Sequence, residues 1–113
     1  MKKDPQVFIG HILGCIELVE EYLRGKTFDD FMASIQLQDA VIRRIEIIGE
    51  AAKKLPQDFK EKNPDIPWKE MAGMRDIIVH EYFGVDLKLT WRVASQDIKE
   101  LKAQLEKLRE ERY

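Results

Sequence analysis

Apolar residues recur along most of this chain at alternating spacings of three and four, the period of α-helices that turn one face to a core. The first such stripe runs through Phe8, Ile12, Cys15, Ile16, Val19 and Leu23. Asp4 can cap this helix, Pro5 suits its first turn, and Gly25 follows its last apolar position. Gly10 and Gly14 lie one turn apart on it. Each costs about 1 kcal/mol of helix propensity, which leads us to expect a tight crossing with another backbone. Thr27 and Asp30 form a capping-box pair, with Asp in place of Glu or Gln, and open a short turn through Phe28 and Phe31. Val41, Ile45, Ile48, Ala52 and Leu55 then mark a long second helix, flanked by Ile42 and Gly49 and closed by Pro56.

Between residues 56 and 67, Pro56, Pro64 and Pro67 alternate with charge, the composition of an ordered connection or a broken helical turn. Pro67 opens a third long segment containing Trp68, Met71, Met74, Ile77 and Ile78, and Gly84 marks its expected end. Asp86 caps the last helix, where Leu87, Trp91, Ala94, Ile98, Leu101, Leu105 and Leu108 keep strict four-three spacing. Nothing alternates like a strand. The expected fold is all-α, an antiparallel bundle of four main helices plus short helical turns, in one domain over residues 1–113.

Composition narrows the classes open to such a bundle. With 44% hydrophobic and 35% charged residues and no apolar run near the ~20 residues a bilayer demands, a membrane span is not expected. The opening Met-Lys-Lys-Asp-Pro does not resemble a secretory signal, and the lone Cys15 agrees with a reducing compartment, so the cytoplasm is the expected location. A net charge of −2 means that any nucleic acid must be met by a local groove and not by a strongly basic body.

Candidate chemistry gathers in one run, Met74-Arg75-Asp76-Ile77-Ile78-Val79-His80-Glu81-Tyr82-Phe83-Gly84. An arginine fork can hold two phosphate oxygens, and a histidine can give or take a proton near neutrality. On an ideal helix Arg75 and Tyr82 fall about 20° apart, whereas His80 falls about 140° from Arg75. The pair therefore meets only if the helix unwinds near His80, or if a second copy of the segment lies across a two-fold axis. The second route would bring two histidines and two arginines to one groove, giving a base, an acid and a phosphate clamp. His11 and Cys15 stand at i and i+4, but no second His or Cys pair completes a metal site. There is no Glu-x-x-His pair and no Gly-rich phosphate loop, so neither metal nor cofactor is expected.

Arg75, four residues, His80, one residue and Tyr82, followed by Phe83-Gly84-Val85-Asp86 and Trp91, resembles the HepT-like branch of the HEPN superfamily. Ile42-Arg43-Arg44-Ile45-Glu46-Ile47-Ile48-Gly49-Glu50-Ala51 and Ile66-Pro67-Trp68 extend the likeness over residues 5–110. The resemblance implies a homodimeric, metal-independent endoribonuclease, the toxin of a toxin-antitoxin pair. It also implies an MNT-type minimal nucleotidyltransferase as antitoxin, which adenylylates the motif tyrosine. Carried over residue by residue, Arg75 binds the phosphate and transition state, His80 is the general acid or base, and Tyr82 is the adenylylation site. Asp76 stands where the superfamily often has Asn, as a possible supporting residue.

Each of these residues also has a purely structural reading. Arg75 can pair with Asp76 or Glu70, His80 can interact with its helix end, and Tyr82 and Phe83 can be core aromatics. A non-catalytic nucleotide- or RNA-binding module, or a scaffold subunit for a nucleotidyltransferase, is then the alternative.

Overall fold

The computed structural model describes residues 4–80 and 86–111, with backbone alone at 75, at 77–80 and at 110–111. The described chain is helical from end to end. α1 (Pro5–Leu23) begins as the sequence predicts: Asp4 is its N-cap and accepts a hydrogen bond from the Gln6 N–H at 2.9 Å. Gly25 takes φ 74°, a left-handed turn that a side chain would strain. α2 (Phe28–Ala33) carries the full capping box. The Asp30 N–H donates to Thr27 Oγ1 at 3.1 Å, and the Thr27 N–H donates to Asp30 Oδ2 at 2.9 Å. The Thr27 N–H and the Thr27 hydroxyl beside the carboxylate, with Lys26 nearby, hold the Asp30 carboxyl below the usual aspartate range.

α3 (Ile35–Lys54) is capped by the Ser34 hydroxyl, which accepts from the Leu37 N–H at 3.1 Å. The proline-bearing connection holds the short α4 (Gln57–Lys62), the broken helical turn its composition suggests. α5 (Trp68–His80) starts one residue later than expected, with Pro67 supplying the carbonyl that accepts from the Met71 N–H. α6 (Leu87–Arg92) takes Asp86 as N-cap and runs through a π turn at Val93–Asp97 into α7 (Ile98–Glu111).

That π turn departs from the uninterrupted seam the sequence predicts. A wider turn inserts an extra residue into the α-helical phase, so Val93 joins Ala94 and Ile98 in the core while Trp91 remains half-buried. Trp91 meets Phe28 edge-on at 5.9 Å and Phe31 at 5.5 Å between ring centroids. The aromatics of α2 thereby cover the start of the last helix.

The core joins Ile9, Ile12, Ile16 and Val19 of α1 to Val41, Ile45 and Ile48 of α3, with Ile98, Leu101 and Leu105 of α7. α3 packs on both α1 and α5. α1 and α7 run antiparallel: Lys102 Nζ donates to Glu20 Oε1 at 2.8 Å, while Arg109 lies beside Gly10. The Glu20 carboxylate holds the Lys102 ammonium above the usual lysine range. The expected crossing at the α1 glycines is absent among the described residues. A Cβ on Gly14 would meet nothing within 4 Å, and on Gly10 it would meet only an arginine side chain at 3.7 Å. No described helix is long and apolar enough to cross a membrane.

Candidate functional site

The motif arginine and histidine both belong to α5, whose apolar positions set how it lies. Trp68 and Met71 are buried, and the Trp68 indole N–H donates to the Asn63 carbonyl at 3.0 Å, fixing the start of the helix against the connection before it. Position 75 follows Trp68 by seven residues and so repeats its helical phase to within about 20°. The backbone stays helical through His80. An unwinding ahead of that residue therefore does not bring position 80 round to position 75, and the phase difference of about 140° stands. Tyr82, together with Phe83 and Gly84, lies outside the described residues.

Of the candidate site residues, Asp76 is the one whose side chain the structure describes, and it contacts another element. Its Oδ1 lies 3.3 Å from Lys53 Nζ in an ion pair across α3 and α5, with both side chains nearly half exposed. At that exposure the pair contributes little to stability, roughly 0–1 kcal/mol. Its geometric effect is larger, since it ties the residue beside Arg75 to the neighbouring helix. Sequence reading missed Lys53, because 23 positions separate it from Asp76 and neither residue stands out locally.

Beside this ion pair lies an open depression of about 690 Å³, lined in part by Lys53, Lys60, Lys69 and Trp68 and also by Glu61 and Asp65. Past Pro67 and Glu70, which line both, a cavity of about 460 Å³ separates the first two turns of α5 from α6, the π turn and α7. The His11 and Cys15 pair does not form a metal face: Cys15 is buried and His11 is exposed. Among the described residues no three His, Cys, Asp or Glu side chains cluster to hold a metal ion.

The "Ribonuclease HepT-like" family model matches residues 12–108 of this chain. A protein of Methanocaldococcus jannaschii named "Gamma-glutamylcyclotransferase and putative RNase" is 60% identical over 111 residues, 98% of this chain and 50% of that protein. The chain thus spans about half the length of that relative. A "Probable ribonuclease HepT" of Thermococcus cleftensis is 49% identical over 96% of this chain and 99% of its own. A "Putative RNase" of Caldanaerobacter subterraneus subsp. tengcongensis is 43% identical over 94% and 95%. No solved structure matches.

Proposed function

The chain belongs to the HepT-like ribonuclease family, and from that premise we propose that it is a metal-independent endoribonuclease whose site combines Arg75 and His80 across a homodimer. The observation that carries the reading is the unbroken run of α5 through both positions. A straight helix holds them about 140° apart, so a second copy is the route that brings an arginine and a histidine to one phosphate.

In this reading His80 removes the proton of a ribose 2′-OH, and the oxygen attacks the adjacent phosphorus. The P–O5′ bond breaks as the new P–O bond forms. The partner subunit's histidine protonates the leaving oxygen, yielding a 2′,3′-cyclic phosphate and a 5′-hydroxyl. Arg75 neutralises the charge that accumulates on the non-bridging oxygens. Asp76, held by Lys53, positions the helix turn that bears Arg75. DNA lacks the nucleophile and is not cut.

The family supports the regulatory half of the reading as well: a toxin restrained by an MNT-type minimal nucleotidyltransferase. The Tyr82 phenol oxygen attacks the α-phosphorus of ATP, pyrophosphate leaves, and the attached adenylate offers Arg75 a phosphate in place of RNA. Mass measurement after incubation with that partner and ATP should show one adenylate on the Tyr82 peptide and loss of cleavage. Tyr82→Phe should escape both. An unmodified Tyr82 peptide would remove this half alone.

The ribonuclease reading is tested by incubating pure protein with RNA in chelator. Cleavage should persist, and should stop where the scissile ribose is replaced by 2′-deoxyribose. Strict dependence on a divalent ion, or equal cutting of the deoxy substrate, contradicts it.

A further inference from the structure

The geometry points to the groove between α5 and the α6–α7 segment as a docking site for a helix of another protein, one with an apolar stripe flanked by lysine or arginine. The groove holds about 460 Å³, within the range of well-formed binding pockets. Its floor is apolar: Met71, Val93, Ile98 and Leu101 are buried there, with Met74 half-buried at the side. Glu70, Asp97 and Glu100 also line it, all three exposed, and no lysine or arginine stands among the described lining residues.

Floor and walls together select the occupant. Three carboxylates around an apolar trough repel the phosphates of RNA and attract cations, while the floor rewards burial of aliphatic side chains. Along α5 the trough runs from Pro67 to Met74, about 10 Å, or two helical turns. A helix with apolar residues at i, i+3 and i+7 covers that length, and basic residues on its flanks meet the carboxylates. The two methionines suit such a partner, because their unbranched side chains adapt to its shape. The π turn supplies both Val93 and Asp97 to the groove, a local irregularity of the kind often found at functional sites.

A second copy of this chain fits poorly. Its exposed large apolar side chains among the described residues are Ile35 and Met32, beside Asp29, Asp30 and Asp39, and Val7, one helical turn from Asp4, so each would bring acid against acid. The groove also flanks the first half of α5, whereas the proposed two-fold site involves the second half. The inference is therefore independent of the catalytic reading.

The test uses the whole protein with carbon-13 in its methionine methyl groups. The probe is a helical peptide with leucines at i, i+3 and i+7 and flanking lysines; its counterpart carries glutamates in place of those lysines. The Met71 and Met74 resonances should shift saturably with the lysine peptide while Met32, on α2, stays fixed. Binding should weaken with salt and fall about tenfold in Glu70→Gln/Glu100→Gln, a change confined to exposed side chains. Fixed Met71 and Met74 signals, or equal binding of the glutamate peptide, would overturn the proposal. So would shifts of both methionines on concentrating the protein alone, which would seat a second copy in the groove.

Discussion

Thr27 and Asp30 show how much one pair of side chains settles. Their reciprocal bonds start α2, and α2 brings Phe28 and Phe31 over Trp91. Thr27→Ala should cost about 1 kcal/mol in denaturant unfolding. The carboxylate adds a pH dependence whose sign follows from its lowered pKa. A depressed carboxyl stabilises the fold at pH above its unfolded value, and that contribution is lost as pH falls through the folded value. The stability gap between the wild type and Asp30→Asn should thus be fullest near neutrality and close in acid. A gap that widens in acid would show that the bonds do not favour the charged form. At the other end of the functional scale, His80→Ala should lower RNA cleavage roughly 10²-fold or more if the histidine moves a proton. Arg75→Ala should do comparable damage by removing charge stabilisation. Either variant at full activity would take that residue out of the mechanism.

Among the elements, caps and apolar stripes were legible because they are local. Asp4, Thr27 and Asp86 each stand where a helix begins. The stripe of Val41, Ile45, Ile48, Ala52 and Leu55 is buried as a set. Ile45→Ala, at full burial in this stripe, should cost 2–5 kcal/mol, roughly the range for deleting a buried branched side chain. The π turn was not legible. Its residues, Val93 to Asp97, fit an α-helical register as readily, and only the packing of Trp91 on one side and Ile98 on the other shows the extra residue. Ser95 marks the spot, its hydroxyl donating to the Trp91 carbonyl at 2.6 Å, yet a lone serine carries no such signal. Deleting Ser95 should remove the extra residue and leave α6 and α7 one regular α-helix, with Trp91 and Ile98 each still facing its site. The unfolding midpoint should therefore shift little, and a markedly lower one would show that the π turn is more than a single-residue insertion. Gly10 and Gly14 misled for a related reason: spacing shows where a close approach is permitted, not whether a neighbour arrives.

For the whole molecule, the sequence pattern foretold an all-helical bundle, and the structure adds that α5 packs on α3 while a groove parts it from the last helix. The candidate residues were legible by type and order. The meeting proposed for them was not, because it would depend on a symmetry axis that one chain does not encode locally. A dimer is expected by light scattering at micromolar concentration, and a strictly monomeric mass would remove the composite site. The most direct test of the central claim is cleavage of labelled RNA by Arg75→Ala and His80→Ala protein, each alone and after the two are refolded together from denaturant. Each variant alone should be nearly inactive. Half of the dimers are then mixed, each with one arginine and one histidine from opposite subunits, so cleavage should rise above that of either variant alone while staying below about a quarter of the wild-type value, because one of the two histidines is still missing. A mixture as inactive as its components would contradict a site shared between subunits.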